Sequence, residues 1–120
     1  MSVADWKKYR TDIGIGINEM GKLNPDIVQA CSALSQAGEN AVHLDAKTRG
    51  LIATAIAVQL RCDGCIAIYT ETARQAGATR EEIAEALSVA LSVTTRAALV
   101  STTRAIEAYG TAAPVRPILS

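Results

Sequence analysis

Apolar residues recur three and four positions apart along most of the chain. The gaps between these stretches carry helix-start and helix-stop residues. Asn24-Pro25 offers an N-cap followed by proline at the first helical position. The helix it opens should run to about Ala37, with Gly38 as its stop. Ile27, Ala30, Cys31 and Leu34 share its apolar face, which makes Cys31 a buried core thiol by expectation. Asp45 caps the next helix, Ala46 to about Leu60. From Leu51 to Leu60 only Thr54 and Gln59 are polar, and a helix apolar all round is expected to be buried on all sides. A further helix opens at Cys62–Cys65, runs to about Ala76 and stops at Gly77. Thr79 and Glu82 then form a capping box, followed by an apolar stripe of Ile83, Ala86, Leu87, Ala90 and Leu91. Thr94 or Thr95 is expected to break that helix and recap a last one ending near Tyr109.

The first segment, Asp5 to Met20, is less regular. Its Ile13-Gly14-Ile15-Gly16-Ile17 alternation suits a strand, and each interior glycine costs a helix about 1 kcal/mol. No other segment offers a strand partner, so it reads as helix, ended by Gly21. The prediction is a single all-α domain over residues 1–120, a compact helical bundle of five to six helices. The tail at 111–120 reads as an extended arm, with Ile118 and Leu119 available to dock on a neighbour.

Composition sharpens this picture. The 120 residues are 49% hydrophobic but 3% aromatic, with no phenylalanine. A core of small and branched side chains requires close helix approach, and a chain this short is expected to cover its apolar surface with further copies of itself. Twelve basic residues balance twelve acidic ones, so the basic footprint of a nucleic-acid binder is missing. No uninterrupted apolar run reaches the roughly 18 residues of a membrane span. Met1 to Lys7 has no signal-peptide core. Nucleic acid and membrane are therefore not expected partners, and a reducing cytoplasm is the expected compartment.

The candidate chemistry lies in Cys62-Asp63-Gly64-Cys65. Cys-x-x-Cys serves either as half of a zinc site or as a redox dithiol. Zinc needs two more ligands, and only Cys31 and the loop residue His43 are on offer, without motif spacing. No metal or cofactor is expected. Residues three apart on a helix share a face at a separation a disulfide tolerates. A helix N-terminus and the adjacent Arg61 would favour a thiolate. Tyr69 continues the stripe of Cys65 one turn later. Gln59, three residues before Cys62, is the candidate hydrogen-bond donor to the sulfurs.

The stretch from Leu44-Asp45-Ala46-Lys47-Thr48-Arg49-Gly50-Leu51, through Cys62-Asp63-Gly64-Cys65-Ile66, to Gly77-Ala78-Thr79-Arg80-Glu81-Glu82-Ile83 resembles the carboxymuconolactone decarboxylase family. The closer likeness is to its alkylhydroperoxidase D-like branch, over about 44–91. The resemblance implies an all-helical homo-oligomer, often a trimer or hexamer. It also implies reduction of a small peroxide or disulfide substrate at the expense of a thiol reductant. By position, Cys65 would be the peroxidatic cysteine and Cys62 the resolving one. The branch relays protons through a histidine four residues after the second cysteine and a glutamate about a dozen before the first. Here Tyr69 and Gly50 stand at those places, so the dithiol is present without its usual relay. On this reading Tyr69→His with Gly50→Glu should restore the relay.

Overall fold

The computed structural model describes residues 5–40 and 42–111, and within them the chain is helical between short turns. Five helices follow in order: α1 Trp6–Leu23, α2 Pro25–Glu39, α3 Ala46–Gln59, α4 Asp63–Gln75 and α5 Arg80–Gly110. The described residues contain no strand, so Ile13 to Ile17 is helical as expected. The starts follow local chemistry. Asp5, Asn24, Asp45 and Thr79 each accept a backbone N–H from the first turn of the helix they cap. At α5 the capping box is complete, with Glu82 accepting from the Thr79 N–H.

Two stops differ from the expectation. Gly21 does not end α1. The helix continues to Leu23, where Asn24 serves both as its C-cap and as the N-cap of α2. Nor do Thr94 and Thr95 interrupt α5, which is continuous over 31 residues. The Thr94 hydroxyl bonds back to the Ala90 carbonyl, 2.9 Å away within the same helix, so it is absorbed by the helix instead of capping a new one. The expected arm at 112–120 lies outside the described residues.

The centre of the fold is the α3–α4 crossing. Its buried side chains are small: Thr54 and Ala57 from α3, Ala67 and Ala73 from α4, with Gly50 buried beside them. Thr54 keeps its hydroxyl satisfied by donating to the Gly50 carbonyl. Gly50 is required by the approach itself, because a Cβ there would lie 2.9 Å from Ala73 Cα and 3.1 Å from Ala73 Cβ. The start of α5 is tied to α3 by the Lys47–Glu82 ion pair at 2.8 Å, and its middle by Thr94 donating to Gln59 Oε1 at 2.6 Å.

The expectation that α3 is buried on all sides is corrected here: Ile52 and Ile56 are about half exposed. These two side chains lie on the side of α3 away from its buried Gly50, Thr54 and Ala57. α5 itself has no buried residue, and Val89, Leu91, Val93, Leu99, Val100 and Ile106 are all more than half exposed. The chain exposes 9879 Å², where a folded monomer of this mass exposes roughly 6,200 Å². α5 is also long and apolar enough by length and composition to cross a membrane, although Arg96 and the threonines interrupt the apolar run.

Candidate functional site

The segment joining α3 to α4 is built from backbone hydrogen bonds. After Leu60 the chain turns so that the Arg61 N–H reaches the Val58 carbonyl and the Cys62 N–H reaches the Ala57 carbonyl. This is the paired bond pattern that closes a helix through a left-handed residue. Arg61 is that residue, at φ 54°. The turn delivers Cys62 to the N-cap of α4, where its Sγ accepts the Cys65 N–H at 3.1 Å. Cys62 and Cys65 are joined as a disulfide with Cα atoms 5.2 Å apart, and both are half-buried. One helical turn therefore holds the Cys62 sulfur against the N–H groups that open α4, the kind of position that favours a thiolate over a thiol.

The remaining predicted residues divide into two places. Tyr69, half-buried one turn beyond Cys65, opens onto a cleft of about 750 Å³ between α2, α3 and α4. Gly50 lines the same cleft, with Cys31, Leu34, Arg49 and Ala53. The two positions at which the resemblance placed a proton relay thus share one cleft, whose lining includes neither Cys62 nor Cys65. Gly50 cannot be exchanged there for glutamate at the present helix spacing, because the first side-chain carbon would already strike the Ala73 backbone. The expected repair by Gly50→Glu is corrected on that ground.

Gln59 is exposed, and its carbonyl is occupied by Thr94 of α5. That oxygen takes part in the α3–α5 seam, and the expected role of Gln59 was as a donor to the sulfurs through its amide N–H. Cys31 is exposed on the cleft, against the expectation of a core thiol. α2 packs chiefly on α1, so its stripe is left open, with Ile27 52% and Leu34 76% exposed. His43 is exposed in the turn before α3. Among the described residues no group of three or more histidine, cysteine or acidic side chains converges to hold a metal.

Two contacts at the dithiol were not expected from sequence. α1 lies against the first turns of α4. Arg10 Nε donates to the Ala67 carbonyl, and a Cβ on Gly64 would stand 3.3 Å from Ile13 Cδ1. No local signal reveals these contacts, since the partners are more than fifty residues apart. Charge around the site is modest. Glu71 is held below the usual glutamate range by its hydrogen bond to Arg74, with the nearby Arg74 and Arg10 charges acting the same way. This carboxylate accepts hydrogen bonds from Arg74 and Gln75 of the same helix.

The family model described as the carboxymuconolactone decarboxylase family matches residues 25–108, more than half of the chain. An uncharacterized protein from Haemophilus influenzae is 44% identical over 69 residues, covering 58% of this chain and 61% of that protein. The match to that relative therefore spans less than two thirds of its length. Uncharacterized protein 4 in the cox locus of Paracoccus denitrificans is 34% identical over 90 residues, covering 75% of this chain and 81% of its own. The crystal structure of an apo carboxymuconolactone decarboxylase family protein from Legionella pneumophila superposes with a TM-score of 0.70. It is 33% identical and covers 88% of this chain and 94% of that one. The chain belongs to the carboxymuconolactone decarboxylase family.

Proposed function

We propose that the protein is a dithiol–disulfide oxidoreductase that cycles Cys62 and Cys65 between two thiols and one disulfide, with a small peroxide or a disulfide as oxidant. The observation that carries this reading is the Cys62 sulfur at the N-cap of α4, bonded to Cys65 and accepting the Cys65 N–H. With a peroxide, the Cys65 thiolate attacks one oxygen and the O–O bond breaks. The alkoxide leaves and takes up the proton that the Cys65 thiol released on ionising, giving the alcohol, and Cys65 becomes a sulfenic acid. The Cys62 thiol then displaces water to form the disulfide. An external dithiol returns two electrons and two protons. Because Tyr69 and Gly50 stand where the resembling branch carries its histidine and glutamate, peroxide turnover is slow, and thiol–disulfide exchange is the faster chemistry. The protein works in a reducing compartment as a homo-oligomer, whose copies cover the apolar surface left open on α5 and on the outer face of α3.

The test is site-resolved mass spectrometry of the reduced protein. After treatment with hydrogen peroxide or an oxidised small dithiol, the Cys62–Cys65 disulfide should form, faster with the dithiol, while Cys31 stays reduced. Cys62→Ser should trap a Cys65 adduct. Motif thiols that stay reduced under both oxidants would refute the reading.

A further inference from the structure

Burial divides α5 in two. Ile83, Ala86, Leu87 and Ala90 in its first half are half-buried where it packs on α3. Every residue from Leu91 to Gly110 is exposed. A helix of that length is marginal in water unless one face of it is packed. Leu99, Ile106 and Tyr109 share one stripe, which lies roughly 130° round the helix from the residues that meet α3. They are 66%, 73% and 84% exposed. Arg96, Arg104 and Glu107 fall on a different side. The cleft between α2, α3 and α4 has the complementary deficiency. It is an open space of about 750 Å³ with Cys31 and Leu34 on its α2 wall and Ala46, Gly50 and Ala53 on its α3 wall. Walls of such small side chains let a further helix approach closely.

We propose that the end of α5, residues 96–110, seats its Leu99–Ile106–Tyr109 stripe in the α2–α3–α4 cleft of a second copy, which returns its own helix end in exchange. This rests on the homo-oligomer proposed above and names the surfaces that build it. A reciprocal exchange closes on itself and leaves no open end. Leu99 to Tyr109 spans about 15 Å of helix. The 9879 Å² exposed by one chain exceeds the roughly 6,200 Å² of a folded monomer by far more than the about 800 Å² each partner gives to a stable interface. The charged side of the helix end suits water, so the stripe fits a protein cleft better than the interior of a bilayer. Once seated, the incoming helix covers Cys31 and Tyr69.

The test uses the full chain with Cys62→Ser and Cys65→Ser, which leaves Cys31 as the one thiol, inside the cleft. Its alkylation by iodoacetamide is timed at a concentration where light scattering shows the oligomer. Leu99→Glu with Ile106→Glu should speed that reaction at least about tenfold, in proportion to the seats emptied, and lower the scattering mass. Val100→Glu, on the charged side, should leave both readouts near the parent. Ile106→Cys on the same background, mildly oxidised, should give a covalent dimer whose bond maps to Cys31 and the sulfur introduced at position 106. Tyr109→Cys carries this arm if the first variant does not fold. An oligomer with a fully reactive Cys31 and no such bond would overturn the exchange and leave the homo-oligomer standing, as would a bond formed within one chain of the oligomer. A monomer would refute both, and its co-sedimentation with phosphatidylcholine–phosphatidylglycerol vesicles would assign the stripe to a bilayer.

Discussion

The two turns that bound α4 have the same hydrogen-bond pattern and different residues at the same place. At the exit, the Gly77 N–H reaches the Arg74 carbonyl and the Ala78 N–H reaches the Ala73 carbonyl. At the entrance, Arg61 and Cys62 make the equivalent pair to Val58 and Ala57. The left-handed residue is Gly77, at φ 94°, in one turn and Arg61, at φ 54°, in the other. Glycine takes that conformation freely, whereas a residue with a Cβ is disfavoured there by roughly 1–2 kcal/mol. The exit is therefore closed by local preference. The entrance adopts the same turn against local preference, and it runs directly into the N-cap bond of Cys62. The unfavourable turn is the one that places Cys62 at the cap of α4.

The largest effect should come from the helix crossing that feeds the exit. Gly50→Glu should lower stability by about 3 kcal/mol, because overpacking meets the Ala73 backbone. Urea unfolding of the reduced protein measures it, and a loss under about 1 kcal/mol would show that α3 and α4 can part readily. Making the two turns alike sharpens the comparison next. Gly77→Arg should cost about 1–2 kcal/mol without changing the alkylation rate of Cys62. Arg61→Gly should instead gain up to about 1 kcal/mol, the strain it relieves. No gain would mean that the arginine side chain contributes as much as its backbone loses.

The smallest effect concerns the acidic limb of stability. Asp45, Glu71 and Glu82 all have lowered pKa values in the folded chain, through hydrogen bonds to Thr48, Arg74 and Lys47 respectively. Such groups stabilise fully above their unfolded values, 3.8 for the aspartate and 4.5 for the glutamates. That contribution is lost as pH falls through the lowered native values. Glu82→Gln keeps a capping side chain but removes one titrating partner, so the decline of the melting temperature below pH 4.5 should be shallower. The raised Lys47 pKa has the opposite sign. Its contribution is present below 10.5 and lost as pH rises through the higher native value.

Helix starts were legible because each rests on a residue and its neighbour three positions on. Asp45 with Thr48 and Thr79 with Glu82 need nothing from elsewhere in the chain. The dithiol turn was legible for the same reason. What could not be read depends on distant partners. Gln59 is claimed by Thr94, 35 residues later, and this also explains why Thr94 sits comfortably inside α5. The exposure of Cys31 reflects where α2 packs, which an apolar stripe does not specify. Arg61 gave no sign of its left-handed backbone, since arginine is an uncommon choice there. The α1–α4 contact joins Ile13 to Gly64, and neither residue indicates the other.

Gly50 and Ala73 also fix the order in which this site can change over generations. With α3 and α4 this close, a carboxylate at position 50 cannot arrive first, since a chain carrying it would be selected against as a poorly folded one before any gain in proton transfer. A route to a glutamate there begins elsewhere, with substitutions that widen the crossing while the glycine is still in place. In the opposite direction, once a glycine has let the helices close, each small residue that settles into the seam makes the return harder. The helix crossing acts as a latch on the chemistry available to the cysteines.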